Sequence, residues 1–252
     1  MKSSKLLSLL VAGLLVSSLA VGSAAAVDSS PEELPEESEV GTEYEATFEL
    51  TNLFDEFEQW TLNGETELTN VTWTVVQYDQ AGNQVDQTST DGQEFNEDIN
   101  IDDGTSRIEV QITGTTPEIG NLSYDPEERF TAANFTQVRE GGTQQDIATH
   151  DAHHYTADSK EARNAIDDAS TIVEGSGDSE AESSLQSAIS AYEAGNFDNA
   201  ISLANRAEDE ATQTQTRQSF LLYGAAAVVV LLLLGGGYYL YKSRQQGPSR
   251  LR

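Results

Sequence analysis

The sequence predicts an α+β chain of several parts: a β-sandwich, then a small α-helical bundle or hairpin, then one transmembrane helix. Three observations carry this. Apolar residues alternate with polar ones from Val40 to about Glu140, they recur at helical spacing from Ala162 to Ala211, and an uncharged apolar run fills Phe220 to Tyr241.

The β signal comes first in the chain. Tyr44, Ala46, Phe48 and Leu50 alternate with polar neighbours, and so do Val71, Trp73 and Val75, with Val76 and Tyr78 on the opposite face. Ile108, Val110 and Ile112 repeat the pattern, and a last strand is expected within Arg129–Arg139. Asn63-Gly64, Ala81-Gly82-Asn83 and Asp102-Asp103-Gly104 read as turns. About six to eight short strands at this spacing suggest one immunoglobulin-like sandwich over 40–140. The chain has no cysteine, so packing alone must hold the core. Ahead of it, residues 27–39 contain Pro31, Pro35 and six acidic residues, and read as a disordered acidic spacer.

Behind it, 141–157 reads as a connector opened by Gly141-Gly142, and 158–219 as a bundle of about three helices. Asp158 with Glu161 and Ser179 with Glu182 are candidate capping boxes. Gly175-Ser176-Gly177 and Gly195 separate the helices. Tyr192, Gly195, Phe197 and Ala200 resemble the tetratricopeptide helical hairpin, over one repeat. A binding groove of that kind needs about three.

The two ends set the expected location. Lys2 and Lys5, the apolar run Leu6–Leu19 and Ala24-Ala25-Ala26 follow the pattern of a signal peptide over 1–26. The run 220–241 has 22 residues and is long enough to cross a bilayer as a helix. Phe220 and Tyr223 at one end, and Tyr238, Tyr239 and Tyr241 at the other, suit the headgroup layers. Lys242 and Arg244 begin a basic tail, 242–252, that is expected to stay inside. These features predict a single-pass cell-membrane protein, N-terminus outside and C-terminus cytoplasmic, with the lipid bilayer as one partner.

Charge limits the other partners. All 43 acidic residues, but only seven of the 13 basic ones, lie in 27–219, so that portion carries a net charge of −36. Such a chain repels itself in dilute buffer, and molar salt, with a Debye length of about 3 Å, removes most of that repulsion. Nucleic acid is excluded as a ligand because phosphate binding needs a positive surface. The layout, with few lysines, abundant acids and no cysteine, resembles single-span surface proteins of haloarchaea that carry an immunoglobulin-like ectodomain. That resemblance implies fold and location rather than an activity.

Candidate chemistry is sparse. His150, His153 and His154 are the three histidines of the chain and lie beside Asp151. Imidazole and carboxylate at such spacing can hold a transition metal, or the rings can pack against the sandwich edge. Asp98, Asn100, Asp102 and Glu109 have offsets like those of a calcium loop, but the glycine is misplaced at Gly104 and Ile99 and Ile101 alternate as in a strand, which favours a hairpin with solvated acids. Asn70, Asn121 and Asn134 head glycosylation triplets. There is no phosphate loop, no nucleophile elbow and no sign of a cofactor. The expected role is therefore not enzymatic: an extracellular interaction or structural module that binds a protein or glycan. The alternatives are an accessory subunit of a transporter or other membrane complex, and a metal-binding surface protein using the histidines.

Overall fold

The computed structural model describes residues 27–139, 141–216 and three later positions, 230, 233 and 234. Ten strands and three helices make up the described chain, which is mainly β. The strands form two five-stranded sheets. Sheet A runs β1 (Asp28–Glu33), β3 (Glu43–Thr51), β8 (Arg107–Thr115), β5 (Thr69–Tyr78), β6 (Gln84–Asp91). Sheet B runs β2 (Glu37–Glu39), β10 (Gln144–Tyr155), β9 (Arg129–Val138), β4 (Gln59–Glu65), β7 (Glu94–Asn100).

The alternation read from the sequence places one residue in two inside. Across sheet A, Phe48 lies opposite Val110 and Val110 opposite Val75; the next row joins Ala46, Ile112 and Trp73. These side chains meet Phe95, Phe130 and Phe135 of sheet B in one core, and the Phe48 and Phe135 rings touch edge to face at 5.2 Å. Two sheets that share one apolar layer form a β-sandwich.

Three expectations about this region are corrected. Asn63-Gly64 is not a turn but lies within β4, and the chain turns at 66–68, where it passes from sheet B to sheet A. A two-residue turn would have kept both strands in one sheet. Gly64 instead lets the Phe95 ring lie over the backbone: a Cβ there would sit 2.1 Å from Phe95 Cε1. The acidic stretch 27–39 is not a disordered spacer but supplies β1 and β2, one on an edge of each sheet. Val27 is buried in the core and Leu34 packs against it, and the Tyr44 hydroxyl donates to the Pro35 carbonyl at 3.0 Å. Residues 141–157 are not a connector: Gly141-Gly142, both at positive φ, turn β9 into β10, so the sandwich extends to Tyr155.

The helices follow at once. α1 (Ala157–Glu174) is capped by Thr156 and Ser159, whose side chains each bond the other's backbone N–H. α2 (Ser179–Glu193) is capped by Asp178, and a third helix, α3, covers 197–216. The caps thus fall one or two residues ahead of those expected at Asp158 and Ser179. Ala162, Ile166, Ala169, Ala188, Ala200 and Ala204 are fully buried between these helices.

The fold expectation also included a membrane span. Among the described residues no helix is long and apolar enough to cross a membrane. Both α1 and α2 are polar on their outer faces. The transmembrane helix and the single-pass location are therefore not supported, and the architecture is corrected to a mainly β chain with three helices. Of 220–241, only Val230, Leu233 and Leu234 are described, and they are helical. The signal segment 1–26, the anchoring residues Phe220, Tyr223, Tyr238, Tyr239, Tyr241, Lys242 and Arg244, and the tail lie outside the described residues.

Candidate functional site

Sandwich and bundle meet along the loop 116–128. Arg163 of α1 donates to the carbonyls of Ser123 and Tyr124 at 3.2 and 2.8 Å, and its guanidinium lies 4.8 Å from the Tyr124 ring centroid and 5.3 Å from that of Tyr192. The Tyr124 hydroxyl bonds Asp167 of α1. Burial, then that hydrogen bond, push the Tyr124 hydroxyl well above the usual tyrosine range. Lys160 pairs with Glu37 of β2 and sits 4.1 Å from the Tyr155 ring centroid. Cations that are scarce in this chain are thus spent on its seam.

Beside that seam is an open cleft of about 720 Å³. The loop lines it with Pro117, Glu118, Asn121 and Glu128, β9 with Arg129 and Phe130, and β10 with His154. Thr66, Glu67 and Gln93 close the far side. Glu128 Oε1 is buried without a hydrogen-bond partner, and burial raises the carboxyl above its ordinary pKa. Glu67 Oε2 accepts the Thr131 N–H at 2.6 Å.

The four residues considered as metal ligands are dispersed. His150 faces the core, where its ring lies 4.7 Å from Phe48 and Nε2 meets Ser29 Oγ at 3.0 Å. His154 also faces inward, 5.4 Å from Phe130, and its Nδ1–H donates to the Pro117 carbonyl at 3.2 Å. Burial lowers the pKa of both rings. His153 points the other way, donating from Nδ1 to the Glu128 carbonyl at 2.7 Å. With Asp151 it lines a second cleft, of about 550 Å³, beside Glu36, Glu37 and Glu127. Strand alternation explains the split, because neighbours on β10 project to opposite faces. Among the described residues no three histidine or acidic side chains converge on a metal position. The hairpin expected over 98–112 is corrected, because β7 lies in sheet B and β8 in sheet A, and the acids there do not converge as a calcium loop either. Asp98 on β7 accepts from Thr61 at 2.8 Å, Asn100 caps a short 3-10 turn, and Glu109 lies on the other sheet beside Arg107.

The three glycosylation triplets are placed unequally. Asn70 is exposed at the start of β5 with φ 51°, where the pairing with β8 is irregular, and Thr72 of its triplet is also exposed. Asn121 is exposed on the cleft rim. Asn134 lies within β9, its Oδ1 accepts from Thr149 at 2.9 Å, and Thr136 is buried.

Sequence reasoning missed Glu128, Tyr124 and Arg163. They lie in a polar stretch and on a helix face with no motif, and only the docking of that loop on α1 joins them.

No family model matches the chain, and no curated protein matches it. Solved structures give distant likenesses. The sporulation control protein Spo0M from Bacillus subtilis is 12% identical with a TM-score of 0.31, covering 57% of this chain and 55% of Spo0M. A mutant of the SrpA adhesin from Streptococcus sanguinis is 17% identical, with a TM-score of 0.28 and coverage of 54% and 61%. A cohesin module from a Clostridium perfringens glycoside hydrolase is 15% identical, with a TM-score of 0.26, covering 52% of this chain and 98% of the module. This chain thus matches only a little over half the length of Spo0M.

Proposed function

We propose that the chain is a non-catalytic recognition module that holds a protein or glycan partner at the cleft beside the sandwich–bundle seam. The observation that carries this is the cleft itself: about 720 Å³ of concave, mostly polar surface, walled by a loop that Arg163 and Tyr124 clamp to the bundle. A preformed concavity with a few convergent polar groups is the usual form of a binding site. The clamp keeps the rim ordered before the partner arrives, which lowers the cost of binding. Nucleic acid does not suit it. The six basic residues described are Arg107, Arg129, Arg139, Lys160, Arg163 and Arg206, and each already has a partner or an aromatic face within the protein.

The test is a photo-crosslinking amino acid placed at position 121, on the cleft rim, and at position 45, on the outer face of sheet A, in cells that make the protein. A discrete adduct from 121 and none from 45 is expected. Identical adduct patterns from both positions would remove the cleft as the recognition surface.

A further inference from the structure

We infer that Asn70 is the acceptor of an N-linked glycan, and that Asn121 and Asn134, which head triplets of the same kind, are not. All three triplets meet the sequence requirement, Asn-X-Ser/Thr without proline at X. They differ in what holds each side chain in the folded protein.

Asn70 is free at the surface. It is exposed, and its side-chain amide makes no hydrogen bond among the described residues. Between the pairs Thr69–Thr115 and Thr72–Thr113, β5 advances three residues while β8 advances two. The extra residue makes a β-bulge, where the chain leaves the ladder. Asn70 takes φ 51° there, a left-handed conformation that asparagine adopts more readily than most residues with a side chain. Val71 is 4% exposed and anchors the triplet in the core, while Asn70 and Thr72 on either side of it are exposed. The Thr72 hydroxyl donates to Asp91 at 2.8 Å, but both groups are exposed, so water can replace either. A glycan on Asn70 Nδ2 therefore breaks no side-chain hydrogen bond, and a transferase can reach amide and hydroxyl together, before or after folding.

The other two triplets are held. In the first, the Ser123 hydroxyl donates to the Pro126 carbonyl at 2.8 Å, Arg163 of α1 donates to the Ser123 carbonyl at 3.2 Å, and Leu122 lies against Gly195 of the bundle. Asn134 sits in a strand paired on both sides, opposite Thr149 of β10 and Glu65 of β4, and its Oδ1 accepts from Thr149 at 2.9 Å. Thr136, which would have to present the hydroxyl, is 7% exposed. The transfer itself joins Asn70 Nδ2 to the anomeric carbon of a sugar carried on a lipid phosphate. The bond from that carbon to the phosphate oxygen breaks, the lipid phosphate leaves with the electron pair, and the amide proton passes to a base of the transferase. A chain with the signal-peptide pattern read at 1–26 meets such a transferase during export.

The experiment is mass spectrometry of the protein purified from the cells that make it, intact and after proteolysis. The peptide bearing Asn70 should be heavier than its sequence by a whole number of sugar residues, and the peptides bearing Asn121 and Asn134 should have their sequence masses. Asn70→Asp removes the acceptor nitrogen while tolerating the left-handed backbone, and Thr72→Ala removes the hydroxyl while keeping the acceptor. Each should lose the whole added mass, whereas Thr72→Ser should keep it. An Asn70 peptide at its sequence mass overturns the assignment; so does added sugar on Asn121 or Asn134, or a Thr72→Ala protein that keeps the glycan. The peptide masses of the unaltered protein decide the matter even if a variant fails to fold, and none of these outcomes depends on the cleft.

Discussion

The sandwich and the helical bundle bury their cores by opposite means. The sandwich fills its interior with large side chains: Trp73, Tyr44, Phe48, Phe130 and Phe135 are all 1% exposed or less. The bundle is packed mainly by alanine, with Ala162, Ala169, Ala188, Ala200 and Ala204 fully buried around Ile166 and Tyr192, and Ala181, Ala207 and Ala211 around Val173. Large side chains bring apolar area; small ones bring helices close but remove little area from water. The comparison teaches that the sandwich stands on its own core, whereas the bundle leans on the seam, where Tyr124 adds its ring to the bundle cluster at 6.1 Å from Tyr192.

The largest expected effect tests the sandwich half of that contrast. Phe48→Ala empties a fully buried aromatic site and should cost about 3–5 kcal/mol, read from the denaturant midpoint of the whole sandwich. A loss below about 1 kcal/mol would mean that the aromatic core is not what holds it.

Arg163→Met tests the other half. It removes two hydrogen bonds to loop carbonyls and a cation from two ring faces, at a cost of about 2–3 kcal/mol. Hydrogen exchange should rise across α1–α3 well before it rises in β3 and β8. Uniform acceleration in both regions would show that the bundle does not depend on the seam.

Gly64→Ala drives a Cβ into the Phe95 ring and should destabilise by about 1–3 kcal/mol. Adding Phe95→Leu should recover part of that loss, measured as a double-mutant cycle. Strict additivity would separate the two positions. At the bundle's entry, Thr156→Ala deletes the helix cap and should cost about 1 kcal/mol, seen as a lower thermal midpoint for the helices.

The smallest effects come from pH. His150 and His154 have folded pKa values below their unfolded value of about 6.5 because of burial, so the unfolded chain binds more protons as the pH drops. Their contribution is complete above about pH 6.5 and is lost as the pH falls below it. Glu97, raised first by burial, acts in the opposite sense: its carboxyl costs stability as the pH climbs through its folded pKa. Glu97→Gln keeps an acceptor for Gln77 and Thr88 and should raise the denaturant midpoint at pH 7 while leaving the histidine limb in place. An unchanged midpoint at pH 7 would mean that Glu97 is not strained by its position.

Legibility followed the range of the interactions. The alternation in β3, β5 and β8 and the helical repeat from Ala162 to Ala211 were plain, because both are local periods of a chain with one buried face. The edges of the sandwich were not. Residues 28–39 look like a solvated acidic tether, and only the unpaired backbone of β3 and β10 gives them a place. The stretch 144–155 has three histidines and two acids in place of aliphatic residues, so its inward face passed for a polar connector. Of the cleft, Asn121 and His154 were singled out, each for a different chemistry. Glu128 was not, since an isolated acid in an acidic chain carries no local mark.

The sequence by itself determined that one part of the chain would alternate and another would coil, and that the surface would be overwhelmingly negative; each depends on residue type and near neighbours. Tertiary structure alone decided that an acidic leader would close two sheet edges, that a His-bearing strand would lie inside sheet B, and that the 116–128 loop would wall a cleft with an orphaned carboxylate oxygen. These depend on which backbone groups are left unpaired and which surfaces remain to be covered once the sheets have met, and no local period in the chain records that.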